Sequence, residues 1–377
     1  MIKILITEDS FFMRKFMIDL FENAADFEVV DIAANGKEAI EKILKYHPDV
    51  VTMDINMPVM DGLTALEIIM KDCPVPVVMF SSLTQEGAES TYKALSLGAV
   101  DFMPKTMDAM TAEGSIQQDL LNKCRAAAKA NVHTLRKKIP APPLPKPLGQ
   151  KHIEMPIRTA AERAKEMALN IRRSVKPISE MRKPIKKSSL GKLVVLGTST
   201  GGPKSLQQVI PKLPKDLPCG ILIVQHMPPG FTKTLAEGLN EISQISVKEA
   251  ENHDIIEEGH AYIAPGDYHM TVVKRAGHRE IVLNQDPPIG TLRPAADILF
   301  NSAAVFGSDV VSVILTGIGN DGADGMKHIK DSGGYAIAED ESTAIVYGMP
   351  KAVARLGLPD KILPLDKIAE AIVQAVK

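Results

Sequence analysis

The sequence predicts an α/β protein of two domains, each built on a mostly parallel β-sheet covered by helices, with a basic connector between them. Three observations predict it. Short apolar runs alternate with helix-like segments along residues 1–106 and again beyond residue 192, and such β-α alternation builds parallel sheets that are buried on both faces. Between these stretches, residues 132–190 carry 15 Lys and Arg against 4 Asp and Glu, and five of the eight residues from Pro140 to Pro147 are proline. The length of 377 residues suits two domains and a connector. The expected boundaries are 1–125 for the first domain, 126–190 for the connector and 191–377 for the second domain, which is doubly wound and carries a β-hairpin.

In the first domain, strands are predicted near 2–7, 28–33, 49–54, 75–80 and 99–103, and a last helix over 107–130 with Ile116, Leu120 and Leu121 on one face. Polar residues fall where these strands end. Glu8 and Asp9 follow the first, Asp54 ends the third, Ser81 and Ser82 follow the fourth, and Lys105 follows the fifth. The carboxyl ends of parallel strands line one crevice, so residues distant in sequence converge there. Three carboxylates brought together repel unless a cation joins them, and hard oxygen ligands suit Mg²⁺, so Glu8, Asp9 and Asp54 are the predicted ligands. A carboxylate can form an acyl phosphate, which makes Asp54 the predicted phosphoacceptor. The metal, Lys105 and a serine hydroxyl would stabilise charge on the transferring group. Any one of these acids alone reads more readily as a helix cap on a solvated rim; that reading weakens when the residues at four strand ends all obey one rule.

The residues Glu8-Asp9, Asp54 with Met57-Pro58 and Met60-Asp61-Gly62 after it, Ser81-Ser82, Gly98-Ala99 and Lys105 resemble the receiver domains of two-component signalling. The resemblance spans about residues 1–125. It implies a (βα)5 receiver of flavodoxin-like topology, bound Mg²⁺ and a sensor histidine kinase as phosphodonor. It also implies Ser81 as the switch hydroxyl and Phe102 as the aromatic that reports its position. The sequence departs from the family at Pro104, which precedes Lys105 where proline usually follows the lysine.

In the connector, Thr159 to Arg173 reads as a short basic helix with a capping-box-like start from Thr159 to Glu162. It is either a solvated spacer or a docking segment for an acidic surface. The whole chain nets −2, so the part outside 132–190 sums to −13. An acidic folded part excludes nucleic acid as the main partner. No stretch approaches the ~20 apolar residues of a membrane span, and the chain begins at once with the strand-like Ile2-Lys3-Ile4-Leu5-Ile6. Cys73, Cys124 and Cys219 are odd in number and widely spaced. Reduced thiols and a cytoplasmic location are expected.

The second domain opens on Leu193-Val194-Val195-Leu196-Gly197-Thr198-Ser199-Thr200-Gly201-Gly202-Pro203, an apolar strand, a glycine turn and a helix start. Gly197-x-Ser199-x-Gly201 matches the nucleophile elbow, whose glycines let a serine project from a strand end. The helix is expected to run to about Leu213, and the next apolar run, Ile221 to Gln225, leads to His226. After an Ala261–Ala264 strand and a hairpin at 268–283, a helix begins near Pro294, and Val310 to Thr316 leads into the loop of Ile318 and Asp321. Serine at its ordinary pKa is a poor nucleophile; a histidine must take its proton and a carboxylate must hold the ring. Ser199, His226 and Asp321 are the candidates, with the backbone N–H groups of Thr200 and Ile318 as oxyanion donors. No metal or cofactor is expected in this domain. The order Ser, His, Asp differs from that of α/β-hydrolases, so the elbow alone does not fix the fold.

Gly197 through Gly202, Gln225-His226-Met227-Pro228-Pro229-Gly230-Phe231-Thr232, Ala264-Pro265-Gly266-Asp267, Arg293-Pro294-Ala295-Ala296-Asp297 and Thr316 through Gly322 resemble the chemotaxis protein-glutamate methylesterases. Isoleucine stands at 318 where methionine is common, a change a backbone donor tolerates. The resemblance implies hydrolysis of glutamate γ-methyl esters on chemoreceptor cytoplasmic helices, often with glutamine deamidation, under control of receiver phosphorylation. Two rivals are a DNA-binding output, for which no helix-turn-helix with a basic face follows, and a non-catalytic receptor-binding scaffold.

Overall fold

In the first sheet, runs of Ile, Leu and Val have nowhere to go but inward, because helices cover both faces. The protein is described here from a computed structural model, over residues 1–105, 115–130 and 191–377. Its strands are β1 (Ile2–Thr7), β2 (Phe27–Ala33), β3 (Val50–Asp54), β4 (Val77–Ser82) and β5 (Asp101–Lys105), in the order β2-β1-β3-β4-β5 with every pair parallel. The helices are α1 (Phe11–Glu22), α2 (Gly36–Tyr46), α3 (Gly62–Asp72), α4 (Gln85–Leu97) and α5 (Ser115–Ala127).

Each of α1 to α4 starts where a short polar side chain accepts a first-turn N–H, which satisfies a donor the helix itself cannot. Ser10 accepts Met13 N, Asn35 accepts Glu38 N, Asp61 accepts Thr64 N and Thr84 accepts Gly87 N. The fourth and fifth strands begin two residues later than the sequence predicts, so Ser81, Ser82 and Lys105 are the last residues of strands rather than the first residues after them. Pro104 is accommodated because β5 is an edge strand, where a missing ladder donor costs least. Ala127 and Ala130 are buried in the cluster of Met17, Phe21 and Val78. The connector from residue 131, with its expected helix at Thr159–Arg173, lies outside the described residues, as do 106–114 of the expected last helix.

The second sheet has seven parallel strands in the order β14-β13-β12-β6-β7-β9-β8. They are β6 (Leu193–Thr198), β7 (Gly220–Gln225), β8 (Ser246–Glu249), β9 (His260–Ile263), β12 (Val310–Ile314), β13 (Tyr335–Glu339) and β14 (Lys361–Leu363). The predicted hairpin is present as the antiparallel pair β10 (His269–Arg275) and β11 (His278–Asn284). Helices α6 (Gly202–Val209), α7 (Phe231–Ile242), α8 (Ala296–Ala303), α9 (Ala323–Asp331), α10 (Met349–Arg355) and α11 (Leu365–Val376) complete the unit. The helix expected to reach Leu213 stops at Val209, and a 3-10 turn over Ile210–Lys212 takes its place, because Pro211 cannot donate into an α-helical ladder. The helix expected near Pro294 starts at Ala296.

Strand order reverses at β6. The chain runs from β6 outward through β7, then crosses back to β12 on the other side of β6. Accordingly α6 places Leu206 and Val209 on the face of Val194 and Leu196, while α9 places Met326 and Ile329 on the opposite face with Leu193 and Val195. Where successive helices part to opposite faces, a crevice opens at the carboxyl ends of the strands.

Gly62 shows how closely the first sheet packs. A Cβ there would lie 2.0 Å from the Asp54 carbonyl oxygen. Gly62→Ala is therefore expected to lower stability by about 1–3 kcal/mol, read as a lower urea midpoint; an unchanged midpoint would mean the loop yields freely.

Candidate active site and phosphoacceptor pocket

The crevice of the second sheet gathers the three predicted residues from three strand ends. Thr198 and Gln225 are register partners on β6 and β7, so Ser199 and His226 leave neighbouring strands side by side, and His226 N–H donates to Thr198 O at 3.2 Å. Gly201 makes the elbow possible, with φ at +79° before the α6 start. Ser199 N–H donates to Thr316 O at 3.0 Å, and Gln225 Nε2 donates to Ser199 O at 3.0 Å. The elbow is thus gripped from β12 and β7 together.

His226 Nε2 lies 2.7 Å from Asp321 Oδ2. That leaves Nδ1 as the ring nitrogen not engaged by the carboxylate. Asp321 Oδ2 also accepts Ala296 N–H at 2.6 Å, and Oδ1 accepts Asp297 N–H at 3.0 Å. These two N–H groups belong to the start of α8, where unpaired donors and the helix dipole favour an anion. Burial alone would raise the Asp321 carboxyl; the hydrogen bond and charge of His226, with those two amides, outweigh it and hold the group below its ordinary range.

The clasp is reciprocal. Asp297, on α8, accepts Gly325 N–H of α9 at 2.7 Å. Each of the two helix starts is capped by a carboxylate that belongs to the other. Among the described residues, the Ser199 hydroxyl and the N–H groups of Thr200 and Ile318 take no hydrogen-bond partner.

The phosphoacceptor pocket forms at the ends of β1, β3 and β5. Glu8, Asp9 and Asp54 each bring a carboxylate oxygen within 4.8 Å of the others. Lys105 Nζ lies 2.7 Å from Asp54 Oδ2 and 2.8 Å from Glu8 Oε2. Burial raises both Asp54 and Glu8 above the ordinary carboxyl range, against the hydrogen bond and charge of Lys105. For Lys105 burial works downward, and the two carboxylates more than reverse it. Ser81 Oγ points out of this pocket and donates to Gly87 O at 2.9 Å.

Phe102 also points away, 3% exposed and stacked on Phe231 with ring centroids 4.8 Å apart. Beside it, the Thr200 hydroxyl donates to the Asp101 carboxylate. Two residues of β5 thus touch the elbow and the helix that follows His226. Neighbouring contacts extend the seam: Gln207 Nε2 donates to Ser96 Oγ at 2.8 Å, and the Tyr92 ring lies over Gly238, where a Cβ would be 2.3 Å from Cζ. Sequence reasoning missed the seam residues, the Asp297 clasp and the bracing of the elbow by Thr316. Asp297 and Thr316 sit at the ends of predicted elements, and polarity at such an end was their only signal.

Fold and sites together define a receiver-bearing α/β hydrolase. The CheB methylesterase family model matches residues 194–372, and the response regulator receiver domain model matches residues 4–116. Proteins named protein-glutamate methylesterase/protein-glutamine glutaminase from Pyrococcus horikoshii and Archaeoglobus fulgidus are 44% and 43% identical to this chain. The alignments cover 100% and 99% of this chain and 94% and 97% of those relatives. The crystal structure of the Thermotoga maritima CheB methylesterase catalytic domain is 46% identical, with a TM-score of 0.49, and covers 49% of this chain and 99% of that one. The chain belongs to the CheB methylesterase family.

Asp297 generates a test of the clasp. Its carboxyl is pushed up to about 6, by burial first and by the Asp321 and Asp324 charges, against the Gly325 and Gly322 amides. A carboxyl that binds its proton more tightly when folded contributes stability that is lost as pH rises from its unfolded value, about 3.9, through its folded one. Asp297→Asn keeps an acceptor for Gly325 and removes this titration. Between about pH 4 and pH 6 the wild type is expected to lose stability relative to that variant and then to level off, measured by urea unfolding at each pH. Parallel curves would remove Asp297 from the linkage.

Proposed function

We propose that Ser199, His226 and Asp321 hydrolyse glutamate γ-methyl esters on chemoreceptors, and that the receiver sheet controls access to them through the state of Asp54. Family membership makes the chain a protein-glutamate methylesterase of chemotaxis adaptation, with a chemoreceptor as substrate and a kinase as phosphodonor. The observation that carries the residue assignment is the His226–Asp321 hydrogen bond of 2.7 Å at the strand-order reversal, one strand from Ser199.

The Ser199 hydroxyl attacks the ester carbonyl as His226 Nδ1 takes its proton. Asp321 holds Nε2–H and steadies the imidazolium that forms. The oxyanion of the tetrahedral intermediate is received by the N–H groups of Thr200 and Ile318, neither of which has a hydrogen-bond partner among the described residues. His226 returns the proton to the departing methoxide, and methanol leaves. Water, deprotonated by the same ring, then adds to the acyl carbon; the bond to Ser199 Oγ breaks, the ring returns its proton to that oxygen, and the glutamate is freed. A glutamine γ-carboxamide meets the same steps with ammonia as the leaving group, in keeping with the glutaminase part of the relatives' names.

Glu8, Asp9 and Asp54 offer the hard oxygen donors that fit Mg²⁺. When bound there, the ion would neutralise charge on a phosphoryl group being transferred to Asp54. Lys105 is a hydrogen-bond donor already aimed at that carboxylate. A phosphoryl group on Asp54 offers new acceptors to Ser81 and Lys105, which lie at the ends of the paired strands β4 and β5, where Ser81 faces Pro104 and Ser82 faces Lys105. Drawing Ser81 inward breaks its bond to Gly87 O and disturbs the strand that carries Asp101 and Phe102. The contacts to Thr200 and Phe231 weaken, and the crevice opens.

Ser199→Ala should lower methanol release from methylated receptor membranes on the order of 10⁴–10⁶-fold; near-wild-type release sinks the nucleophile. Tyr92→Ala, on the seam and away from both sites, is expected to raise the resting rate and to shrink the further gain from a small-molecule phosphodonor. A resting rate no higher than wild type would refute control through this seam. No helix among the described residues is long and apolar enough to cross a membrane.

A further inference from the structure

Glu339, the last residue of β13, is fully buried and lies behind the catalytic loops. Its Oε2 accepts Thr316 N–H at 2.8 Å and its Oε1 accepts the Thr343 hydroxyl at 3.1 Å. The β12–β13 ladder ends at the pair Ile314 and Ala338, so beyond it the Thr316 donor has left the strand pairing. A buried N–H without an acceptor is costly. The Glu339 side chain continues the ladder where the backbone has stopped.

Thr316 is where the two proposed oxyanion donors are tied together. Its carbonyl accepts Ser199 N–H at 3.0 Å and the Thr198 hydroxyl at 2.8 Å. Its own hydroxyl donates to Thr200 O at 2.9 Å and accepts Val346 N–H at 2.9 Å. Gly317 N–H in turn donates to Val346 O at 3.0 Å, which fixes the loop that continues to Ile318. Thr200 reaches Thr316 by one bond, and Ile318 is two residues along the chain from it.

We propose that Glu339 is a positioning residue for the esterase reaction: by accepting the Thr316 N–H it sets the spacing between the Thr200 and Ile318 N–H groups. The inference rests on the assignment of those two donors. Acceptance, not charge, is what the geometry requires. Burial, the largest influence, pushes the Glu339 carboxyl up to about 7 against the Thr316 and Thr343 bonds, so ionisation is costly there. An amide oxygen serves Thr316 equally. The amide N–H₂ would then face Thr343 Oγ1, which already accepts Leu365 N–H at 2.9 Å and whose proton can turn to Asp340 O at 3.4 Å.

The test compares Glu339→Gln, Glu339→Leu and Glu339→Asp with wild type and Ser199→Ala in the full chain, measuring kcat and KM for methanol release and thermal unfolding. The Gln variant is expected to stay within about threefold of wild type in kcat. The Leu variant, which leaves Thr316 N–H unanswered, should fall about 10–100-fold in kcat with KM little changed, below the loss of a whole oxyanion donor. Glu339→Asp, which keeps the carboxyl but withdraws the acceptor, should fall likewise, and it carries the test alone if the Leu variant does not fold. Wild-type kcat in a folded Leu or Asp variant overturns the proposal, and so does a Gln variant as impaired as Asp. An active Ser199→Ala would instead overturn the site reading itself; an inactive one beside a fully active Glu339→Leu sinks only the role of Glu339.

Discussion

The Asp321 carboxylate answers three donors at once, and the esterase crevice depends on that. Two are backbone amides at the start of α8 and the third is His226 Nε2. A buried carboxylate is expensive unless fully hydrogen-bonded. Here the helix start supplies the bonds, and the ring nitrogen completes them. The arrangement sets Nε2 against the carboxylate, and the proposed mechanism leaves Nδ1 for serine. It also explains why two helices distant in sequence must begin at one place: α8 provides the cap donors, while Asp321 immediately precedes α9, whose own amide is held by Asp297. Loosening either helix would release the ring.

Much of this was legible in the sequence because the chemistry sits at strand ends, and strands announce themselves as local apolar runs. Asp54 at the end of Asp49-Val50-Val51-Thr52-Met53-Asp54, Ser199 after Leu193 to Thr198 and His226 after Ile221 to Gln225 needed only the rule that parallel strands share a carboxyl edge. The short strands β8, β13 and β14, three to five residues long, have too little pattern to separate from loops or helix ends. Their absence hid Glu339, whose place behind the elbow exists only once β13 is laid beside β12. Asp297 was visible in its motif and silent about its partner, since a carboxylate near a helix start looks like a cap for its own helix. Here it caps another.

The seam between the sheets was the least legible part. Phe102 carries no mark of Phe231, and nothing in Asp101 indicates Thr200. Both contacts join residues with no pattern in common, and they arise from the stacking of α4 and β5 on α6 and α7. The structure adds a separation of tasks along β5 that the sequence did not show. Lys105 at one end belongs to the phosphoacceptor pocket, and Asp101 and Phe102 at the other belong to the seam.

In the proposed control of access, that division makes β5 the lever. It is an edge strand, hydrogen-bonded on one side only to β4, so a displacement is resisted by one ladder rather than two. Its register partners on β4 include Ser81, the hydroxyl now turned to Gly87 O. A strand inside the sheet would transmit the same pull into the core, where close packing opposes it. At the edge, the pull is spent on the few contacts that β5 makes outward. Those contacts are one stacked aromatic pair and one carboxylate–hydroxyl bond, and the bond ends on Thr200, the residue whose N–H is proposed to receive the oxyanion. On the proposed mechanism, closing the crevice and occupying its oxyanion loop are a single contact seen from two sides. Releasing Asp101 from Thr200 would then uncover the crevice and take the Asp101 carboxyl away from the proposed oxyanion loop.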